Sequence, residues 1–428
     1  MDRNDVLVAI ERAIAAGVSP IDETSDPEKG HTFGAHVRSL ATVFAPSYDI
    51  IRDVMHVLEQ QPDLKWLMRS FYLPGPGGGG VGILPEKVTH WLLAKSLSLP
   101  GGPSEAISAL EDFSQRNATW GHRVVVVYGA YVEESIDLTG EICLLPISEL
   151  QPSLGLDGLA EALGEIVYQL PMVKHDDLVL VPAICALVQR FEMSPALRVE
   201  TGDGWPEWHV QHPKEFEFLE RLAEALALFP DAMPQCVSKW VETEGIDAIP
   251  GLTGGLSGDF ELMEVIPRRH VRLQPLDKDT VTDQLRKFMQ LSRDVKQKLS
   301  TPLRRLAIAN TRRNVDDRAV DLGIALEAMF GGRANSEITH KVAVRGSVFT
   351  SRKSDERLRN YKILKTAYNL RSKIVHGGQV QADQMIKSVC LPASEVVERS
   401  AVLLQLALNK VVDAGSFPNW TEVDLAIQ

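Results

Sequence analysis

Arg371 and His376 are the residues in this 428-residue chain best suited by type and spacing to chemistry on a phosphate ester. Arginine presents a planar fork of donors that matches phosphate oxygens. Histidine titrates near neutral pH and exchanges protons there. Cleaving RNA without a metal needs a base for the 2′-hydroxyl proton and an acid for the leaving 5′-oxygen. It also needs a positive group to hold the charge that grows on the phosphate. One Arg and one His are few for the whole task, so a dimer that juxtaposes two copies is the natural arrangement. Taken alone, Arg371-Ser-Lys-Ile-Val-His376 is a weak signal, because such spacings arise often by chance.

The element that must position the pair is the stretch YKILKTAYNLRSKIVHGG, from Tyr361 to Gly378. Tyr361, Leu364, Tyr368, Arg371 and Val375 recur at helical spacing, so an arginine sits on an otherwise apolar stripe. Gly377 and Gly378 form a helix stop, since glycine tolerates the left-handed conformation found there. An imidazole in the last turn is favoured by the helix dipole. Ser372 and Tyr368 support the pair.

Two further helices carry an ionisable group on an apolar face. In DRAVDLGIALEAMF, Val320, Ile324 and Glu327 share a face, and in EITHKVAVRGSVFT, Ile338, Val342, Arg345 and Phe349 do. Buried charges must be paired, so Glu327 is expected to pair with Arg345 or Arg371. Such a pair either supports a site or simply fixes helix packing. The basic residues Arg304, Arg305, Arg312 and Arg313 either grip an RNA backbone or form a solvated face; Lys373 is assigned with them to RNA contact. His340 shares a helix with Arg345 and is expected to be exposed. His209 and His212 have metal-like spacing without a second pair of ligands and read as a turn, as does His175-Asp-Asp. No metal and no cofactor is expected.

The three segments DRAVDLGIALEAMF, EITHKVAVRGSVF and LKTAYNLRSKIVHGG, in that order and closely spaced, resemble the HEPN superfamily, in particular its ApeA-like branch. The resemblance covers about the last third of the chain and is best over Asn314 to Gly378. It implies a small helical bundle that dimerises. It also implies a metal-independent ribonuclease whose R-x4-6-H motif, here Arg371 and His376, lines the dimer cleft. Ser372 stands where the family often has Asn, Asp or His. HEPN domains are frequent in toxin–antitoxin, CRISPR-linked and abortive-infection systems, and some are non-catalytic binders of RNA or protein. The expectation is therefore an endoribonuclease of bacterial anti-phage defence, with a non-catalytic interaction module as the alternative. The expected partners are RNA, a second copy of the chain, and a phage-derived or nucleotide trigger at the N-terminal region.

Around this helix the chain reads as an α+β N-terminal region, 1–265, with a subdomain seam near 120, followed by an all-α helical-bundle domain over 276–415. Helices are expected at 1–18, 47–70, 86–99, 104–116, 156–169, 183–191 and 213–229. Strands are expected at 122–131 and 142–147, as a hairpin or two strands of a small sheet, and at 178–181. The run FYLPGPGGGGVGILPEK reads as a flexible loop, because it lacks the glycine–lysine order of a phosphate loop. Beyond 276, helices are expected at 278–300, 302–313, 315–330, 336–350, 354–376 and 382–413, with a tail that packs back.

The net charge of −12 conceals a segregation. Arg268 to Gly378 holds 25 Lys+Arg against 11 Asp+Glu, which leaves 20 bases and 46 acids for the rest of the chain. A basic block inside an acidic protein is the footprint of a phosphate-binding module, or of a domain docked on its own acidic neighbour. No apolar run reaches the roughly 20 residues of a membrane span, and no signal peptide is evident. The four cysteines form no CxxC motif and read as reduced thiols of a cytoplasmic protein.

Overall fold

Val124 to Val127 alternate in side-chain direction, and both directions lead into apolar core. Val125 and Val127 face one cluster and Val124, Val126 and Tyr128 the other. That is why β3, Thr119–Tyr128, reads as an unbroken apolar run rather than an alternating one. The computed structural model places it inside a five-stranded antiparallel sheet of order β10-β3-β8-β5-β4. Its other strands are β4 (Ile136–Asp137), β5 (Ile142–Pro146), β8 (Ile184–Met193) and β10 (Gln235–Thr243), while the short strands β6 (Met172–Lys174), β7 (Leu180–Pro182), β9 (Arg198–Val199) and β11 (Arg272–Leu273) pair outside this sheet. The structure describes residues 3–17, 48–74, 80–151, 156, 159, 172–174, 180–199, 212–230, 232–245, 248–252, 272–332, 337–377, 383–386 and 389–425.

Helices α1 (Arg3–Gly17), α2 (Tyr48–Glu59), α3 (Pro85–Ser98) and α4 (Gly102–Arg116) precede the sheet, and α5 (His212–Ala225) follows β8. The stretch expected to be a glycine-rich loop is a hairpin instead: β1 (Phe71–Pro74) pairs antiparallel with β2 (Gly80–Ile83). Phe71 and Ile83 are fully buried, so apolar anchoring fixes the register that the glycines leave open. Residues 183–191, expected as a helix, form the central strand β8. Burial on both sheet faces outweighs the helical propensity of Ala186 and Leu187 there. The strands expected at 122–131 and 142–147 do not pair with each other; each pairs with β8. Strand β10 was not anticipated. The helix expected at 156–169 lies largely outside the described residues, as do His175-Asp-Asp and His209.

The C-terminal region is helical, consistent with an α+β chain. It comprises α6 (Lys278–Gln290), α7 (Arg293–Thr311), α8 (Val315–Phe330), α9 (Ile338–Thr350), α10 (Ser354–Val375), α11 (Ala393–Ala414) and α12 (Trp420–Leu425). The break expected between 300 and 302 falls about ten residues earlier, because Ser292 caps α7 by accepting from Val295 N and Pro302 lies within the helix. The helix expected from 382 begins only at Ala393, after a hairpin of β12 (Asp383–Ile386) and β13 (Val389–Pro392). One apolar cluster runs without interruption from Val6 through the sheet to Val412. Polar contacts tie the two regions as well: Arg286 donates to the carbonyls of Leu138 and Asp137, and Gln405 and Asn409 donate to carbonyls of 227–229. No helix among the described residues is long and apolar enough to cross a membrane.

Candidate active site

Arg371 lies on the face of α10 that crosses α8. The approach is close because position 323 of α8 is glycine: a Cβ there would stand 2.7 Å from Cβ of Arg371 and nearer still to its Cγ. The side chain then runs to Glu327, one turn further along α8, with its guanidinium 3.6 Å from Oε2. Tyr368 Oη donates to the same Oε2 at 2.9 Å, and the Arg371 guanidinium sits 5.6 Å over the Tyr368 ring. Burial, then the Glu327 carboxylate, pushes the Tyr368 phenol up to about 12, so it remains a donor at neutral pH.

Arg371 is held without being saturated. At 3.6 Å its ion pair is too long for a hydrogen bond, and its buried Nε makes none within the protein. The other arginines inside the bundle have closer carboxylate partners, although Arg318 Nε shares the lack of a hydrogen-bond acceptor. Arg345 forms a two-point bond with Asp424 at 2.9 and 2.7 Å and donates to the carbonyls of Phe330 and Gly331. Arg318 reaches Glu398 at 2.5 Å. Arg305 and Arg312 converge on the buried Asp321 at 2.7 and 2.9 Å.

His376 closes α10. Its backbone N–H donates to the carbonyl of Ser372 at 3.2 Å, its ring is exposed, and Gly377 takes a φ of 72° immediately after it. Five residues at about 100° each put His376 roughly 140° round the helix from Arg371. The two side chains of one protomer therefore face different sides of the helix end. Ser372 is half-buried and Lys373 exposed beside them.

Several expectations need correction. Glu327 pairs with Arg371 and not with Arg345, whose partner comes from the C-terminal helix. Glu327 is half-buried; the buried charges of α8 are Arg318 and Asp321, which periodicity did not single out. Val375, counted on the apolar stripe, is 53% exposed, so the stripe ends at Tyr368. Arg305 and Arg312 spend donors on Asp321, while Arg304 and Arg313 are exposed. The tail packs back as expected, with Trp420 set edge-on against Phe330 and Phe349. Asp321, Asp424 and Trp420 were missed. The signal for Asp321 was its spacing from Arg318 in an otherwise apolar helix.

Among the described residues no group of three His, Cys, Asp or Glu is placed to hold a metal. Cys143, Cys185 and Cys236 are free thiols, and burial raises the pKa of each; Cys143 is pushed up to about 11 and Cys236 to about 12. His340 is exposed on α9. No family model matches this chain, and neither a curated protein nor a solved structure does.

Proposed function

We propose that the C-terminal helices act as a HEPN-type, metal-independent endoribonuclease of bacterial anti-phage defence, working in the cytoplasm as a homodimer. The observation that supports it best is the state of Arg371, fixed by Gly323, Glu327 and Tyr368 yet left with an unused Nε donor, on the helix whose end carries the exposed His376. A phosphate is the ligand such a guanidinium is built to accept.

In this reading a 2′-oxygen attacks phosphorus, the bond from phosphorus to the 5′-oxygen breaks, and a 2′,3′-cyclic phosphate remains. His376 removes the 2′-hydroxyl proton or protonates the 5′-oxygen. Arg371 holds the phosphate as charge accumulates on it. A second protomer supplies the second histidine, which also answers the angular separation of the two groups on one helix. The acidic N-terminal region senses a trigger or restrains the nuclease.

The decisive assay incubates purified full-length protein with RNA and compares it with Arg371→Ala and His376→Ala. Cleavage with cyclic phosphate ends, lost in both variants, supports the reading. Absence of cleavage at high protein concentration, with no relief of growth toxicity by His376→Ala, defeats it. The alternative, a non-catalytic module that holds RNA or a protein, draws on Ser372 and on the partial neutralisation of Arg371 by Glu327. It predicts binding that His376→Ala leaves unchanged.

A further inference from the structure

A second recognition surface shares a wall with Arg371. Glu327 also lines a cavity of about 540 Å³ between α7, α8 and the C-terminal segment, together with Lys298, Ile324, Met329, Phe417 and Trp420. This size suits one drug-sized or nucleoside-sized group.

Each wall contributes a different chemistry. The Trp420 indole is pinned by the rings of Phe330 and Phe349 at 5.6 and 5.7 Å and by the Arg345 guanidinium over its ring. Arg345 is itself locked to Asp424 in the same helix. A plate fixed in this way stacks a planar ring at little entropic cost. Glu327 uses Oε2 for both Tyr368 and Arg371, and among the described residues no donor reaches Oε1. Lys298 stands at the rim, paired with the exposed Asp294. A solvent-exposed pair of that kind is worth little, so the ammonium is readily exchanged onto a phosphate.

An aromatic plate, a carboxylate oxygen and a rim cation together suit one ligand class. We infer that this cavity receives an unpaired nucleobase of the RNA bound at Arg371, and that it favours bases carrying an exocyclic amino group. Adenine N6 and cytosine N4 donate to a carboxylate from an exocyclic amino group, whereas uracil offers it only the N3–H, flanked by two carbonyl oxygens that repel it. Stacking on Trp420 supplies the binding and Glu327 the discrimination. The inference rests on the reading of Arg371 as a phosphate ligand, and it makes Glu327 the joint between phosphate and base.

The test uses the full chain carrying His376→Ala, so that RNA stays intact, and labelled hexanucleotides of A, C or U read by fluorescence anisotropy. A6 and C6 are expected to bind about tenfold more tightly than U6, in line with one hydrogen-bonded contact to a charged group. Trp420→Ala is expected to weaken all three by about tenfold or more, the scale of one lost base stack. Glu327→Gln is expected to shrink the A-over-U preference to near unity. Lys298→Ala, at an exposed position, is expected to weaken binding a few-fold and lower its salt dependence.

Equal binding of A6, C6 and U6 overturns the inference, as does unchanged binding in Lys298→Ala and Trp420→Ala. Should Trp420→Ala fail to fold by circular dichroism, the base preference of the parent chain and the Lys298→Ala result decide. Free AMP binding as tightly as A6 overturns the assignment to an RNA base in favour of a free nucleotide. The ribonuclease reading is judged separately, by cleavage in the chain with His376 intact. Base preference without cleavage sinks that reading and leaves the pocket. Cleavage without base preference does the reverse.

Discussion

Arg371 of α10 lies on Gly323 of α8 so closely that a methyl group at 323 would overlap the arginine stem. The contact sets how the guanidinium approaches Glu327. Gly323→Ala is therefore expected to displace Arg371 as well as to overpack the helix crossing, at a cost of about 1–3 kcal/mol. Urea unfolding measures the stability loss. If the proposed role of Arg371 holds, RNA cleavage falls further than stability accounts for.

His376 is exposed, and its backbone N–H closes the last turn of α10. Its replacement by alanine is expected to change stability by less than about 0.5 kcal/mol. Cleavage is expected to disappear with the melting temperature unmoved. A large drop in melting temperature would instead assign the histidine a packing role.

The phenol of Tyr368 is raised to about 12 by burial and by Glu327. Its folded pKa lies above the unfolded value near 10. The stabilisation it brings is thus complete below about pH 10 and is lost as pH rises towards 12. Absorbance titration at alkaline pH should show a late tyrosine component that Tyr368→Phe removes. The variant is expected to lose about 1 kcal/mol at neutral pH, the scale of one hydrogen bond.

Asp424 has its pKa lowered, first by the hydrogen bonds from Arg345 and then by that residue's charge. A depressed carboxylate contributes stability above its unfolded pKa and loses it as pH falls through the folded one. Asp424→Asn is expected to cost about 1–2 kcal/mol near pH 7, discounted because Asp424 is 38% exposed. The difference from wild type should shrink as pH falls below the unfolded carboxylate value near 4 and through the lower folded one. Limited proteolysis should cut the variant near Pro418 sooner than the parent chain.

Asp321 holds Arg305 and Arg312 together from a nearly inaccessible position, with its side chain only 5% exposed. Asp321→Asn leaves both guanidiniums without their carboxylate. We expect a loss of about 2–3 kcal/mol, moderated because each arginine retains access to water. Sequence-independent RNA binding should rise and its salt dependence steepen as the two cations are released.

Much of the C-terminal region was legible because its helices carry local punctuation. Asp277 and Asn314 cap α6 and α8, and Gly377 follows α10. Periodicity also placed Arg371 on an inward face and Glu327 within its reach. It did not distinguish Arg371 from Arg345 as the partner of Glu327, because the choice depends on a helix 79 residues beyond Arg345. The boundary expected between 300 and 302 was wrong, because Ser292 supplies the cap and the helix runs on through Pro302.

The sheet shows the same division. The valine run of β3 announces a buried strand, yet its partner β8 has alanine and leucine where a helix is equally plausible. Only pairing to strands on both sides decides that segment. By itself, then, the sequence determined the residue types, the ends of α8 and α10 and the spacing of Arg371 from His376, since these follow from local steric and capping rules. The tertiary structure decided which charges are spent and which remain available. Asp321, Glu398 and Asp424 hold Arg305, Arg312, Arg318 and Arg345 at 2.5–2.9 Å, while the Glu327 carboxylate stands 3.6 Å from Arg371. The physical reason is that a guanidinium's partner is set by which helices meet across the core, over separations that no local pattern encodes.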